Sequence, residues 1–456
     1  MKSNIKRAFV VFVVLFLTAT LVLPVFAAPP QPGSPAGSAQ ALATIDWKVR
    51  HDITFYETTL KDLAKTYPKI VKVYSIGHSW YERQLWTAEI TSDTSKPKTG
   101  IYIVANIHGG EQEGAESAMY FAWWLATNSA DKAVKDILDN YIVYVTPVMN
   151  PDGYVASMVY NTRQNLRPTD ANGDGKNFGD PYTDTNGDGF ISDIYTGAQD
   201  SKVEDRKKVG MESPDWDKNG KPGDDPKNSA IDLNRTFDYM WNRRDVDATP
   251  FTGGDAFLRA GPDAASEPEV QAVQNFLIAH PVHAVLTLHT GEQSVLYPWC
   301  YTGERAADYT FMKKVAAEMV VAYETTTGRP AYEKQSYDDY PTAAEMIDWT
   351  YGRLGIHSYT MEVYVGGLAS TEAGADDSET HTWGNELPAT KWEYIGDWQG
   401  LKDVWFMTSS RAQMAGIAPP DQDKLVAGVK DATLKMIASE PVGPGAVVPE
   451  FLKWEK

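Results

Sequence analysis

His108 and Glu111 stand three residues apart around Gly109-Gly110, while His289 and Glu362 arrive much later in the chain. Imidazole nitrogen and carboxylate oxygen are ligands that suit zinc. Two histidines and one carboxylate leave a fourth position for water, which is how a catalytic zinc ion is held rather than a structural one. The paired glycines let the backbone turn sharply enough for both flanking side chains to reach one ion. Taken alone, His-x-x-Glu is a weak signal. A helix start preceded by a histidine reads the same way, and His289 on its own is an ordinary strand-end residue.

The elements that would position these side chains sharpen the reading. The apolar run 101–107 ends in His108, the run 284–288 ends in His289, and the run 358–361 ends in Glu362. Short runs rich in β-branched residues read as buried strands of a parallel sheet, and in open α/β sheets ligands bind beyond the carboxyl ends of the strands. Further strand-like runs lie at 70–76, 84–90 and 142–148, with helical patterns at 55–67, 116–126, 268–279, 311–323 and 424–438. Ser266 with Glu269 reads as a capping box opening the 268–279 helix. This alternation predicts an α/β fold with a mixed, largely parallel central sheet and helices on both faces.

The chain has 456 residues, enough for one large domain. Its N-terminus carries Lys2, Lys6 and Arg7, then an apolar stretch closing on Val25-Phe26-Ala27, which predicts a signal peptide over 1–27. The alternative is an uncleaved anchor, since 8–28 is uncharged and long enough to span a bilayer. Residues 28–45 read as a flexible lead-in, 46–440 as the folded domain and 441–456 as a tail. Removing 1–27 moves the formal net charge from −19 to −22. So acidic a chain is a poor partner for nucleic acid or anionic membrane. Cys300 is the single cysteine, so no intrachain disulfide can form. A secreted, monomeric protein is expected.

Several motifs, in order and in spacing, resemble those of the zinc carboxypeptidases of the M14 (carboxypeptidase A/T-like) family over about 46–438. His108-x-x-Glu111 resembles the first metal motif, and Asn150-Pro-Asp-Gly-Tyr154 resembles the turn that follows it. Arg167 falls near the place of the oxyanion arginine. Asp232-Leu-Asn-Arg235 resembles the Asp-x-Asn-Arg motif, and His289 with Tyr297-Pro298 resembles the third ligand and its neighbourhood. Tyr340, Asp348-Trp349 and Glu362 match a tyrosine, an Asp-Trp pair and a catalytic glutamate.

The resemblance implies one catalytic Zn2+ on His108, Glu111 and His289, acting on the C-termini of peptides or proteins. It implies Glu362 as general base and Arg167 as oxyanion donor. Asn234, Arg235 and Tyr340 would hold the substrate carboxylate, and Asp232 would fix the tautomer of His108. Ile347 would form the base of the side-chain pocket, with Leu296, Cys300 and Thr360 on its walls, so an apolar or broad preference follows. Glu345 either reaches that pocket and admits Lys or Arg, or points to solvent. Two departures stand out. Gly110 replaces an arginine found in digestive members, and Arg163-Gln-Asn-Leu-Arg167 brings its second arginine one residue late.

Residues 170–229 are dense in Asp, Asn and Gly and poor in aliphatics, a composition that cannot bury a core of its own. Within them, Asp170, Asn172 and Asp174, then Asp184, Asn186, Asp188 and Asp193, then Asp215, Asp217 and Asn219 place oxygen ligands at alternate positions with glycine sixth. That is the front half of a calcium loop without its bidentate glutamate. Structural Ca2+ ordering this insertion is expected; the alternative is a disordered acidic loop.

Two other functions share these residues. One is a related amidase acting on cell-wall peptides or glutamyl amides, which would be expected to alter the Asn234-Arg235 clamp or the pocket base. The other is an inactive peptide-binding module, which would lose a zinc ligand or the glutamate. Neither alteration is seen in the sequence.

Overall fold

The computed structural model describes Leu42 and residues 44–442, apart from 93–96, 161, 169, 171, 177–179, 224–230, 244–259, 281, 365–389 and 409–416. The proposed signal peptide and most of the lead-in and tail therefore lie outside the described residues.

The first helix, α1 (Ile53–Thr66), is capped by Asp52, whose carboxylate accepts the amides of Thr54 and Phe55. It precedes β1 (Val71–His78), β2 (Gln84–Ile90) and β3 (Thr99–Ala105). Next come α2 (Gln112–Thr127), α3 (Lys132–Asn140), β4 (Tyr141–Thr146) and α4 (Pro151–Ser157). After the acidic insertion the chain continues through α5 (Pro268–Ala279), β7 (Val282–His289), β8 (Ser294–Tyr297), α6 (Tyr309–Thr327) and β9 (Tyr332–Gln335). The short α7 (Ser336–Asp339), then α8 (Met346–Leu354), β10 (His357–Glu362) and finally α9 (Gln422–Ser439) complete the main body.

Eight strands form one sheet in the order β1-β2-β4-β3-β7-β10-β8-β9. Its centre, β4-β3-β7-β10, is parallel throughout, as is the β8/β9 pair; β1/β2, β2/β4 and β10/β8 are antiparallel. All seven residues of β3 are buried, as expected of a strand covered on both faces. Successive side chains go to opposite faces. Ile101, Ile103 and Ala105 join the core under α1, α2, α6 and α9. Tyr102 and Val104 join the core under α5 and α8. The mixed sheet with helices on both faces is thus as the sequence predicts.

One local expectation needs correction and another needs extending. Ser266 does not cap α5; its hydroxyl donates to Glu267, and Glu269 turns inward to accept from Asn165. The helix opens instead on Pro268 at its first turn, where a missing N–H costs nothing. The insertion, as expected, buries no core of its own, yet it is ordered in a way its composition does not show. Its strands β5 (Asp193–Thr196) and β6 (Lys207–Met211) pair with each other, and β5 pairs in turn with β12 (Leu401–Thr408) of a hairpin nearly two hundred residues later, whose other strand is β11 (Lys391–Trp398). Ile194, Val404 and Phe406 are the small core of this sheet. Composition within 170–229 hid this because Val404 and Phe406, two of the three buried core residues, come from elsewhere in the chain. Buried Glu212 orders the first part of the insertion, accepting from the backbone of Thr185, Asn186 and Ser192.

Candidate metal and substrate site

The carboxyl ends of β3, β7 and β10 bring the predicted residues together. Asn106 follows β3 in a left-handed conformation, φ 56°, which asparagine tolerates better than most residues. Its side-chain amide donates to the carbonyls of His108, Gly109 and Glu111 and so holds the whole turn. Gly109 is required by a close approach: a Cβ there would lie 2.2 Å from the carbonyl carbon of Gly153. The His-Gly-Gly-Glu turn is therefore pressed against the Asn150-Pro-Asp-Gly turn, and two motifs far apart in sequence form one unit. Parallel register then sets Glu362 beside His289 across β10 and β7.

His108, Glu111 and His289 have ligand atoms within 4.8 Å of one another, and none is more than 6% exposed. His108 Nδ1 lies 2.8 Å from Glu111 Oε1 and 3.2 Å from His289 Nδ1. His289 Nδ1 lies 3.0 Å from Glu111 Oε2. Two ring nitrogens and a carboxylate converging in a buried pocket form a donor set that fits a divalent cation. On the far side of the ring, His108 Nε2 is 3.1 Å from Asp232 Oδ1. With Nδ1 given to a metal, Nε2 would carry the hydrogen that Asp232 accepts, which requires the Arg163 guanidinium, 2.7 Å away here, to move off that nitrogen.

The electrostatics follow from burial and neighbours. Burial raises the Glu111 carboxyl, but the two imidazoles outweigh it and hold the group well below the usual carboxylate range. Burial pulls His289 down. Burial and Arg163 also pull His108 down, yet Glu111 and Asp232 overcome both and leave it raised. Glu362 is pushed well above its ordinary value, first by burial and then by Glu111, Glu292 and Asp339. Among the described residues its Oε2 receives no hydrogen bond, and it faces Gly291, where an added Cβ would lie 3.5 Å away.

The arginine at the triad is not the one expected. Arg163 Nε is 2.9 Å from Asp232 Oδ2 and its Nη2 is 2.7 Å from His108 Nε2. Arg167 is engaged elsewhere: its Nη1 donates to buried Glu267 at 2.6 Å, and its guanidinium lies over Trp80. The cause is backbone anchoring, since Gly109 N donates to Arg163 O and Asn165 pairs with Ile231 through both an amide and its side chain. The late second arginine in Arg163-Gln-Asn-Leu-Arg167 was the available signal. That same 165–231 pairing returns the chain from the insertion to the point where it left.

Asp232 heads a tight 3₁₀ turn, Leu233–Arg235, and accepts from Asn234 N. Arg235 is 4% exposed and its Nη2 lies 3.5 Å from the Tyr340 hydroxyl. Asn234 Oδ1 accepts from Met346 N, tying this turn to α8. Glu345 does not point to solvent: its Oε1 lies 3.0 Å from Arg235 Nη1 and its Oε2 lies 3.3 Å from Asn234 Nδ2. Cys300, Leu296 and Thr360 are buried, the last two paired across β8 and β10, and Ile347 is buried in α8.

The calcium-type loops hold their shape through their own amides. Asp170 accepts from Asp174 and Gly175, Asp184 from Gly187 and Gly189, and Asp215 from Asn219 and Gly220. Asn172, Asn186 and Asp217 accept from amides two residues on. Asp193, expected among the ligands, is instead paired with Lys208 at 2.8 Å, because β5 turns it toward β6. Lys176 and Lys391 stand on Asp174 and Asp188.

A family model described as zinc carboxypeptidase matches residues 56–373. The chain belongs to the zinc carboxypeptidase family. Among related zinc carboxypeptidases, carboxypeptidase A6 of Mus musculus is 25% identical over 316 residues, covering 68% of this chain and 59% of that protein. Carboxypeptidase B of Astacus astacus is 26% identical, covering 70% of this chain and 88% of the relative. The chain thus spans about three fifths of the length of the first of these. In fold it is similar to thrombin activatable fibrinolysis inhibitor, with a TM-score of 0.58 and 18% identity over 89% of this chain and 76% of the other. It is also similar to carboxypeptidase A from Helicoverpa armigera, with a TM-score of 0.52 and 16% identity over 87% and 76%. Among the described residues no helix is long and apolar enough to cross a membrane.

Proposed function

We propose that this chain is an exported, monomeric zinc metallocarboxypeptidase that hydrolyses the C-terminal peptide bond of peptides and proteins. The observation that carries the reading is the single turn from Asp232 to Arg235. One end contacts metal-site His108 and the other faces Tyr340, so the metal triad and a cationic clamp are held at a fixed spacing. A free carboxylate bound at that clamp lays the last peptide bond across the triad, which favours an exopeptidase.

Zinc bound by His108, Glu111 and His289 would polarise the scissile carbonyl and make a water a competent nucleophile near neutral pH. Glu362 would serve as general base toward the attacking water and as general acid toward the leaving amine. Its raised affinity for protons, from burial first, suits a group that must carry one between the two steps. Arg163, in place of Arg167, donates to the carbonyl oxygen as negative charge develops there. Asn234, Arg235 and Tyr340 hold the terminal carboxylate; a guanidinium can do so through two parallel hydrogen bonds. Asp232 orients His108. Ile347 as pocket base, with Leu296, Cys300 and Thr360, favours apolar terminal residues, and Glu345 nearby extends the range toward Lys and Arg.

The deciding assay is release of free amino acids from blocked dipeptides ending in Phe, Leu, Arg or Glu, with and without a chelator. Zinc-loaded protein that releases none of them refutes the reading. Export rests on residues 1–27, and the N-terminal sequence of protein recovered from the medium tests it: a start near residue 28 is expected. Structural calcium at the loops from Asp170, Asp184 and Asp215 is also proposed; a melting temperature indifferent to added Ca2+ would exclude it. A molar mass near that of one chain in light scattering is expected of a monomer.

A further inference from the structure

Arg235, the residue proposed to take the substrate carboxylate, already faces a carboxylate of the chain's own. Glu345 Oε1 lies 3.0 Å from Arg235 Nη1, with side chains 8% and 4% exposed. Its Oε2 accepts from Asn234 Nδ2 at 3.3 Å. Thr342 adds a hydroxyl donor and Cys300 Sγ lies 3.5 Å away. The same Nη1 donates to the Asn234 carbonyl at 2.9 Å, so its directions are filled from within the protein. Glu345 sits at the N-cap of α8, yet its side chain makes no capping hydrogen bond. An N-cap residue that turns its carboxylate away from the helix it begins has been committed to another contact.

We propose that Glu345 is an internal competitor for the substrate's C-terminal carboxylate: it occupies Asn234 and Arg235 until the substrate displaces it. This rests on the carboxypeptidase reading of the site. Two carboxylates on one buried guanidinium repel each other, so a substrate binds well only when Glu345 has swung off Nη1. The apparent affinity of any simple carboxylate is lowered by the fraction of molecules in which the clamp is open. The contact also keeps Arg235 and Asn234 in the geometry that receives a carboxylate and spares the buried arginine from standing unpaired before substrate arrives. An apolar C-terminal residue, which offers displaced Glu345 no new partner, bears the whole cost of displacement. Glu345 is therefore a specificity-determining residue through the clamp.

The test uses the full mature chain, zinc-loaded, with 3-phenylpropanoate as a simple carboxylate probe and 3-phenylpropanamide as its uncharged counterpart. In calorimetry, Glu345→Gln should bind the carboxylate about tenfold more tightly, the worth of a competing charged hydrogen bond, while binding of the amide is unchanged. In an Arg235→Ala background the same substitution should change neither. Kinetically, KM for a blocked dipeptide ending in Phe should fall by a similar factor with kcat unchanged, a split that general loosening of the pocket would not produce. If Glu345→Gln does not fold, Glu345→Asp retains the charge but withdraws it from Nη1, and should show a smaller gain in the same direction. Carboxylate binding that is unchanged or weakened in the folded variant overturns the proposal. Wild-type protein that binds the probe but releases no amino acid would refute the peptidase reading and leave the binding comparison to judge Glu345 alone.

Discussion

Arg163 and Arg167 lie four residues apart and have contrasting surroundings, so replacing each by alanine separates chemistry from stability. Arg163→Ala removes a donor from beside the metal triad. If that guanidinium stabilises the developing oxyanion, kcat should fall about 10²–10³-fold, equivalent to about 2.7–4 kcal/mol. Stability should change little, by about 1 kcal/mol, because Asp232 keeps His108 and the amide of Asn234 as partners. Arg167→Ala strikes Glu267, which is fully buried. That carboxylate retains the Trp80 indole, Asn165 and Ser266 as donors, so loss of one charged partner should cost about 1–3 kcal/mol. For a protein of this size that is a fall in melting temperature of a few degrees, with kcat preserved. The assay is steady-state hydrolysis of a blocked dipeptide ending in Phe, alongside thermal melts of the same preparations. A folded Arg167→Ala protein without turnover, together with an active Arg163→Ala protein, would refute the assignment.

Glu362→Gln should bind zinc stoichiometrically yet lose about 10²–10⁴-fold in turnover; retained activity alongside full metal content would remove Glu362 as the base. Asp232→Asn should weaken zinc binding about 10–100-fold, measured by chelator competition, and an unchanged dissociation constant would show that the contact with His108 does not tune the metal. Gly109→Ala forces a methyl group against the Gly153 backbone. It should destabilise the protein by about 1–3 kcal/mol and release metal more readily, whereas a neutral melt would mean that the two turns are not pressed together.

Much of the main sheet was legible because its strands are buried on both faces and carry their functional residues at their ends. The runs leading to His108, His289 and Glu362 needed only local pattern to be recognised as strands, and the sheet then brought those ends together. The smaller sheet was illegible for the opposite reason. Its strands β5, β6, β11 and β12 are half-exposed and drawn from two distant parts of the chain. Its core closes only when Ile194 from one part meets Val404 and Phe406 from the other. Asp193 misled in the same way, since its spacing within a calcium-type loop says nothing about the strand that turns it toward Lys208.

Residue type and order, with the family resemblance they carry, were enough to single out the candidate metal set His108, Glu111 and His289, the proposed base Glu362, and the proposed clamp Asn234-Arg235. Each of these depends on one side chain at one strand end or in one short turn. Tertiary structure alone decided which arginine reaches the triad, because that depends on Arg163 O being held by Gly109 and on Asn165 being held by Ile231. It also decided that Glu345 lies on the clamp and not in solvent, since the contact joins a 3₁₀ turn to a helix start 110 residues away. Charge pairs across such separations leave no periodicity in a sequence; only packing brings them within reach of one another.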